Sequence, residues 1–242
     1  MSNRKIQMPR EVYIDPGIIK DTGEICKSLH LDKKILIVTG SHTYDVGAVP
    51  VIESLEKDDI GYDVIKVNGA SADSISEVEE LISQDTTVLG IGGGKVIDVA
   101  KLSSYNQGVY FVSMPTTASH DGIVSPMASI KNPDTSISVA AHSPIAVIAD
   151  SEILAQSPFR LLAAGCADLI ANFTAIKDWE LAHRLKGETF SESAAALSIM
   201  SANLITDNIS DIKPNLEPSA RIVMKSLFSG GMAIIEDRKS VV

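Results

Sequence analysis

The sequence predicts an α/β protein in which a parallel-sheet domain is followed by an all-helical domain. Short β-rich runs alternate with helical patterns up to about residue 110, an order typical of βαβ units in an open parallel sheet. After Asp150, apolar residues recur at helical spacing without strand-like alternation. A glycine cluster at 90–94 lies between a predicted strand and a predicted helix. This places it at the carboxyl ends of the strands, where ligands of such folds bind.

The N-terminal half shows this alternation element by element. A continuous apolar run at 35–38 is typical of a strand buried on both faces of a parallel sheet. One helix is predicted at 49–55 and another at 74–83, the latter with Ser74 as N-cap and Glu77 completing a capping box. Strands are also predicted at 11–14, 62–67, 87–89 and 109–112, with one helical face formed by Ile18, Ile19, Ile25 and Leu29 and a helix beginning at Val96. This pattern predicts a Rossmann-like domain.

The second half of the sequence has a different composition and a different hydrophobic pattern. Residues 125–149 are rich in Ser, Pro and Thr and predict a hairpin or irregular excursion, ending in a strand at 146–148. Apolar residues at helical spacing then predict helices at 159–182 and 191–209. We therefore predict two domains, an α/β domain over residues 1–151 and a helical domain over residues 152–242.

Composition and charge exclude several functional classes. The net charge of −10 and the scattering of the 21 basic residues argue against a nucleic-acid surface, which needs clustered Lys and Arg. Cys26 and Cys166 are too far apart in sequence to predict a metal knuckle or a disulfide framework. The N-terminus lacks the apolar core of a signal peptide, and no run of about 18 apolar residues predicts a membrane span. We therefore expect a cytoplasmic protein without membrane insertion.

The glycine cluster predicts a phosphate site. Glycines let backbone N–H groups approach a ligand closely, and the N-terminus of the following helix favours negative charge. The spacing differs from the common fingerprints, because Lys95 stands where G-x-G-x-x-G needs glycine and Val96 stands where a Walker A loop needs Ser or Thr. The alternative is a tight strand-to-helix turn that needs glycine for positive φ and binds nothing.

Two further segments carry residues capable of chemistry. Residues 114–122 follow a buried-type strand and hold hydroxyls, His120 and Asp121. The hydroxyls could merely satisfy backbone groups in a turn, and such a histidine is more often structural or exposed than catalytic. Residues 164–170 place Asp168 among apolar helix positions, where a carboxylate either faces water or needs a cationic partner. The histidines without a supporting pattern, interpreted as surface residues, are His30 and His142.

Together these segments resemble one family. The sequence reads Gly-Gly-Gly-Lys95-Val-Ile-Asp98, then Pro115-Thr-Thr-Ala-Ser-His-Asp121-Gly, then Gly165-Cys-Ala-Asp168-Leu-Ile and Asp178-Trp-Glu-Leu-Ala-His183-Arg. These motifs resemble the sn-glycerol-1-phosphate dehydrogenases of archaea, within the wider group of glycerol dehydrogenase, iron-containing alcohol dehydrogenases and dehydroquinate synthase. The glycine loop is shared across the wider group, whereas Thr-Ala-Ser-His-Asp-Gly and Asp-Trp-x-Leu-Ala-His-Arg are specific to the glycerol-1-phosphate branch. The resemblance spans nearly the whole chain.

The resemblance implies an NAD(P)-dependent oxidoreductase with one zinc ion, which reduces dihydroxyacetone phosphate to sn-glycerol 1-phosphate for archaeal membrane phospholipids. Zinc would polarise the carbonyl as a Lewis acid while nicotinamide supplies the hydride. Asp121 would hold substrate, and Asp168 would bind zinc and touch substrate, so these are the expected catalytic residues. The cofactor, NAD or NADP, would be held at its pyrophosphate by Gly94, Lys95, Val96, Ile97 and Asp98, and elsewhere by Thr116, Thr117, Ala118, Ser119 and Ser125.

The expected zinc site departs from the family pattern. Catalytic zinc needs about three protein ligands, and the resemblance implies two histidines downstream of 229–233, in a Ser/Gly-rich segment and the helix after it. The sequence instead reads Ile234-Ile-Glu-Asp-Arg-Lys-Ser-Val-Val242. We therefore expect a helical domain that is incomplete here, with Asp168 as its one family zinc ligand. Such a chain would bind NAD(P)H weakly and reduce little or no dihydroxyacetone phosphate.

Three interpretations remain open at this point. The chain is a truncated glycerol-1-phosphate dehydrogenase, or a non-catalytic remnant that binds dinucleotide or associates with a complete subunit. A glycerol dehydrogenase or dehydroquinate synthase relative would also explain the glycine loop, but fits residues 120–122 less well. Residues 38–41 offer neither an acid nor a base to read the ribose, so the choice between NAD and NADP stays open. Apolar surface exposed in the helical domain would favour a homo-oligomer.

Overall fold

A parallel sheet forms the centre of the protein. The computed structural model describes residues 7–131 and 135–236. The strands are β1 (Glu11–Asp15), β2 (Lys34–Thr39), β3 (Tyr62–Lys66), β4 (Thr86–Gly92), β5 (Tyr110–Pro115), β6 (Met127–Lys131), β7 (Ser136–Ala140) and β8 (Ala146–Asp150). Within the described ranges, six of them form a parallel sheet in the order β1-β8-β5-β4-β2-β3. The other two, β6 and β7, pair as an antiparallel hairpin.

Helices cover the sheet, and the described residues after β8 form helices and no further strand. The α-helices are α1 (Thr22–Ser28), α2 (Ser41–Thr43), α3 (Val49–Lys57), α4 (Ala72–Glu79), α5 (Gly94–Gln107), α6 (Ser151–Gln156), α7 (Phe159–Lys186), α8 (Glu192–Asn208) and α9 (Glu217–Glu236). Short 3-10 helices occur at Ile18–Asp21 and Asp121–Ile123, and a π-helical turn at Tyr44–Ala48 joins α2 to α3. The predicted α/β class, with a helical part after the sheet, is confirmed.

The sheet is buried on both faces, as the run at 35–38 predicts. Ile35 and Ile37 pack in one core cluster with Leu55 of α3, whereas Leu36 and Val38 pack in another with residues of α4 and α5. Because successive side chains of a strand point to opposite faces, an uninterrupted apolar run is what a central strand with helices on both sides requires. The predicted hairpin is also confirmed, as β6 and β7.

The predicted start of one helix was wrong. Ser71, not Ser74, is the N-cap of α4: its backbone is extended and its hydroxyl accepts a hydrogen bond from the Ser74 N–H. Ser74 lies inside the first turn, so the capping box with Glu77 does not form. Both serines fit the sequence pattern of an N-cap, which is why the pattern alone did not distinguish them.

The helix after the glycine cluster also begins earlier than predicted. It starts at Gly94 rather than Val96, with Gly93 as an N-cap that has no side chain to cap with. Gly90 and Gly92 belong to β4 itself. The strand therefore passes into the helix almost without a loop.

His142 was wrongly interpreted as a surface residue. Its imidazole is half-buried, stacks on Phe111 at a centroid distance of 6.5 Å and lies 3.0 Å from the Ser104 hydroxyl. Burial lowers the pKa of His142 to about 4, and the charge of Lys101 acts in the same direction. His30 is exposed, as predicted.

The helical part packs as three long helices. α8 and α9 lie against α7, and α9 also contacts α6 and the 3-10 helix at Asp121–Ile123. Among the described helices, α7 is long and apolar enough to cross a membrane by length and composition, a test that core helices of water-soluble proteins also pass. The division into domains at 151–152 stays a prediction, as does the absence of membrane insertion.

Gly165 allows α7 to approach the loop after β5. A Cβ at this position would overlap the backbone carbonyl of Ala118 and lie 3.3 Å from Leu227 of α9. Ala118 is itself fully buried. The glycine in the Gly165-Cys-Ala-Asp168 motif is therefore needed for close packing of a helix on a loop, not for an unusual φ.

Replacing Gly165 by Ala should destabilise the fold. The added methyl group meets backbone, which cannot rotate away, so we expect a loss of about 1–3 kcal/mol in the free energy of unfolding, as for other overpacked sites. Urea denaturation followed by circular dichroism measures it. Gly61→Ala is the matched control, because no atom lies within 4 Å of its Cβ position. Equal stability of the two variants would contradict the close approach.

Candidate functional site

Two cavities flank the first turn of α5, and Gly94 and Lys95 line both. The first, the sheet cavity, has a volume of about 460 Å³ and lies at the carboxyl ends of four strands. Its walls include Gly40 after β2, Asn68 after β3 and Thr117 after β5. The strand order reverses between β2 and β4, and ligands of open α/β sheets bind at such switch points.

The second, the hairpin cavity, lies between α5, the β6–β7 hairpin and the helical part, with a volume of about 530 Å³. Most of the residues in its walls have polar or charged side chains. They carry the carboxylates of Asp98, Asp121 and Asp168, the imidazole of His120 and the ammonium of Lys131. Four elements distant in sequence thus bring titratable side chains to one place.

The glycine cluster works by close approach, not by positive φ. None of the glycines in 90–94 has a positive φ, so the positive φ that the alternative interpretation required is not found. A Cβ on Gly92 would lie 2.7 Å from the Val96 Cβ, and one on Gly94 would overlap the His120 imidazole. At Gly93, by contrast, the nearest atom would be the Thr117 hydroxyl at 3.7 Å. Gly93 therefore faces open space in the sheet cavity.

The predicted pyrophosphate residues have different surroundings. Lys95 lines both cavities, Val96 lines the sheet cavity and Asp98 lines the hairpin cavity. The side chain of Ile97 lies in the core beneath the sheet, fully buried. Both oxygens of Asp98 have protein partners: Oδ2 accepts from the Ser129 N–H at 3.1 Å, and Oδ1 lies 3.6 Å from the Lys101 ammonium.

The residues after β5 that are predicted to contact the dinucleotide also lie in different places. Thr117 and Ser119 line the sheet cavity, with their hydroxyls 3.4 Å apart. Ser125 lines the hairpin cavity. Thr116 is buried, and its hydroxyl has no hydrogen-bond partner within the described residues. Ala118 is in the core, against α7.

Asp121 and Asp168 meet at the hairpin cavity. The Asp121 N–H donates to Asp168 Oδ2 at 3.0 Å, which joins the β5 loop to α7. Burial raises the pKa of Asp121 to about 7, and the negative charge of Asp168 raises it further against the opposing charge of Lys101. Asp168 is exposed at the rim of the cavity and is not surrounded by apolar side chains. Of the two alternatives given for this carboxylate, the structure therefore agrees with the one in which it faces water.

Two side chains at or beside the site were given no role from the sequence: His120 was interpreted as more often structural or exposed than catalytic, and Lys101 was not considered. His120 is half-buried in the cavity wall, and no hydrogen bond to its imidazole is formed within residues 7–131 and 135–236. Burial lowers the pKa of His120. Lys101, inside α5, is fully buried, and burial lowers its pKa while Asp98 opposes the shift. The His-Asp-Gly motif was a signal for His120. Lys101 gave no such signal, because a lysine on a helix normally faces solvent.

The segment 229–233 lies within α9, not in a loop before a helix. Its glycines allow α9 to approach the site: a Cβ on Gly230 would lie 2.9 Å from Leu169 and 3.5 Å from Asp121 Oδ2, and one on Gly231 would lie 2.8 Å from Val124. Ile234, one turn later, lines the hairpin cavity. α9 therefore forms one wall of the site.

The described donors at the hairpin cavity do not form a complete metal site. In the described part of the chain, no group of three or more His, Cys, Asp or Glu side chains is arranged to hold a metal ion. Asp168 and Asp121 supply oxygen donors at the cavity, but a catalytic zinc site uses about three ligands, commonly including histidine. The described residues alone do not fit a catalytic zinc ion.

The chain is similar to known proteins over most of its length. Residues 13–158 match the family described as iron-containing alcohol dehydrogenase. The glycerol-1-phosphate dehydrogenase [NAD(P)+] of Methanobrevibacter smithii is 70% identical over 234 residues, and that of Methanothermobacter thermautotrophicus is 52% identical; each match covers 97% of this chain and 67% of the relative. The chain thus spans about two thirds of the length of these relatives.

Solved structures share the fold at low identity. A probable glycerol dehydrogenase from Sinorhizobium meliloti has a TM-score of 0.80 at 19% identity, over 96% of this chain and 67% of that one. An iron-containing alcohol dehydrogenase from Thermotoga maritima has a TM-score of 0.75 at 20% identity, over 96% and 68%. The fold follows from these likenesses, and the subgroup from the much closer sequence relatives. The chain belongs to the iron-containing alcohol dehydrogenase family, and within it to the glycerol-1-phosphate dehydrogenases.

Proposed function

We propose that this chain binds NAD(P) and dihydroxyacetone phosphate for the reduction of the latter to sn-glycerol 1-phosphate. The observation that carries the proposal is the pair of cavities that share the first turn of α5. One is open over the strand ends, as a dinucleotide requires. The other gathers carboxylates that can accept hydrogen bonds from substrate hydroxyls and two lysines that can balance a phosphate. The 70% identity to a glycerol-1-phosphate dehydrogenase supports the choice of substrate.

In the sheet cavity, the dinucleotide would lie with its pyrophosphate at the N-terminus of α5. Unpaired backbone N–H groups of a helix start attract anions, and Gly93 leaves the space for them. Lys95 adds a cation, and no Asp or Glu lines this cavity among the described residues. The absence of an acid there fits the acceptance of either NAD or NADP.

In the hairpin cavity, the substrate would lie beside Asp121 and Asp168. The nicotinamide would donate a hydride to the carbonyl carbon, and the carbonyl oxygen would take one proton from the site or solvent, giving the secondary alcohol and NAD(P)+. Lys95 and Lys131 line the same cavity and would balance the phosphate. The protein's contribution is to position the two reactants within contact distance and to limit water.

Zinc stays part of the proposal only as an added ion. When bound, it would polarise the substrate carbonyl, and Asp168 is the described residue that we propose as its ligand. Because the described donors do not form a three-ligand set, a second function remains a candidate: dinucleotide binding without turnover, by the chain alone or with a complete subunit. Turnover assays separate the two candidates.

We further propose that the reaction takes place in the cytoplasm and supplies the glycerol phosphate backbone of membrane phospholipids. The names of the relatives, which come from archaeal sources such as Methanobrevibacter smithii, support this role.

Replacing Gly93 by Val should weaken NAD(P)H binding without unfolding the chain. The added side chain has room in the protein but fills the space proposed for pyrophosphate, so we expect the dissociation constant to rise roughly tenfold or more, about 1.4 kcal/mol. Isothermal titration calorimetry with NADH and NADPH measures it. Gly61→Ala should bind as the unmodified chain does. Unchanged affinity in Gly93→Val, with an unchanged melting temperature, would count against the loop as the cofactor site.

Replacing Asp121 by Asn should weaken binding of dihydroxyacetone phosphate to the NADH-loaded chain. The variant keeps the size of the side chain but replaces one carboxyl oxygen, an acceptor for substrate hydroxyls, by an amide donor, so we expect the dissociation constant to rise roughly tenfold or more. Calorimetry measures it, with glycerol as the comparison ligand. Tighter binding of glycerol than of the phosphate would instead favour the glycerol dehydrogenase interpretation.

The same preparations should be assayed for oxidation of NADH at 340 nm, with and without added zinc. Oxidation that depends on dihydroxyacetone phosphate and is lost in Asp121→Asn supports the dehydrogenase. Binding of NADH without such oxidation supports the second candidate.

We propose that copies of the chain associate through the apolar side chains exposed on α7 and α8. Leu185 is 74% exposed, and Met200 and Leu204 line a groove on α8. Introducing charge there, as Met200→Glu with Leu204→Glu, should shift the mass measured by light scattering towards the monomer. Leu216→Glu, at an exposed site before α9, is the control. An unmodified chain that is monomeric at the highest concentration tested would contradict the proposal.

A further inference from the structure

Lys101 is the one fully buried lysine of α5 and does not line either cavity. An ammonium has three N–H donors and no acceptor, and taking it out of water is costly unless each donor finds an oxygen. By volume, the Lys101 side chain is among the largest fully buried side chains of the described residues, together with those of Phe111 and Leu89. Such a residue needs a physical account that core packing does not supply.

Three oxygens meet the Lys101 ammonium. Its Nζ donates to the carbonyl of Gly122 at 2.5 Å and to the carbonyl of Met127 at 2.6 Å. The third is Oδ1 of Asp98, one turn earlier on α5, at 3.6 Å. Two of the three acceptors therefore belong to the backbone of a different part of the chain, the segment 122–129 that leads from the 3-10 helix at Asp121–Ile123 into β6.

Asp98 holds the far end of the same segment. Its second oxygen, Oδ2, accepts from the Ser129 N–H at 3.1 Å. Between them, Asp98 and Lys101 fix the segment at Gly122, Met127 and Ser129. These are the hydrogen bonds between α5 and segment 122–129 that the described residues show. Because all three go to backbone groups, they constrain the path of the segment without depending on its side chains.

The path of this segment decides where two site residues lie. Asp121 directly precedes Gly122, and Ser125 lies between the two carbonyls that Lys101 binds. Asp121 also reaches Asp168 through its N–H, but that bond fixes the start of the turn alone. We propose that Lys101 is a positioning residue, which ties the turn bearing Asp121 to α5 and so sets the substrate side of the hairpin cavity relative to the cofactor side.

The proposal is tested by Lys101→Met, which keeps the length of the side chain and removes its donors and charge. Hydrogen exchange followed by mass spectrometry should show amides of residues 121–131 exchanging roughly tenfold faster, because the segment opens locally, while peptides from β4 and β5 are unchanged. Lys101→Gln retains an N–H donor and should give intermediate exchange. Ser103→Ala is the control: it removes a buried hydrogen bond from the same helix to Ile75, away from the segment.

Two results would overturn the proposal. One is exchange in residues 121–131 equal to that of the unmodified chain in Lys101→Met. The other is faster exchange across the whole chain in both Lys101 variants, since the residue would then support the core in general and not this segment.

A second measurement rests on the proposed function. Lys101→Met should raise the dissociation constant for dihydroxyacetone phosphate roughly tenfold while changing that for NADH much less, because only the turn beside the hairpin cavity is released. Equal losses for both ligands would contradict a local role. If the unmodified chain does not bind dihydroxyacetone phosphate at all, the proposed function fails, and the exchange experiment still decides the role of Lys101.

Discussion

The close contact between β4 and α5 is the constraint on which the rest of the structure depends. A Cβ on Gly90 would lie 2.8 Å from the Ala100 Cβ and 2.9 Å from the Phe111 ring, and Gly92 meets Val96 in the same way. With larger residues, α5 would have to move away from the sheet and lose its buried contacts. At its present distance, the first turn of α5 stands at the strand ends, where it separates the two cavities and lines both of them.

Much of the fold could be predicted because the central strands β2, β4, β5 and β8 are buried on both faces. Runs such as 35–38 are apolar on both sides of the strand, and the helices between the strands show a clear helical periodicity of apolar residues. Boundaries were less predictable, since Ser71 and Ser74 both look like N-caps and only the packing of α4 on its neighbours chooses between them. α9 was not predicted around 229–233, because two adjacent glycines normally indicate a loop; here they serve helix packing.

Site residues that belong to a sequence motif could be predicted. A residue whose role depends on being buried in the folded structure could not. Lys95, Asp121 and Asp168 follow from their motifs, and all three line the hairpin cavity. Lys101 could not be predicted, because nothing in a single sequence distinguishes a lysine that faces solvent from one that faces two backbone carbonyls. Its role depends on the path of a segment more than twenty residues later, which exists only once the tertiary structure has formed.

The position of β1 at the sheet edge bears on how the chain acquires this structure during translation. β1 pairs with β8, with Glu11 opposite Ala146, so β1 is synthesised long before its partner, which follows the other strands of this sheet. Until then its backbone donors and acceptors are unpaired, and such edges promote pairing with other chains. The non-local order of the sheet implies slow closure, and the nascent chain depends on its short, charged first strand to avoid association before β8 arrives.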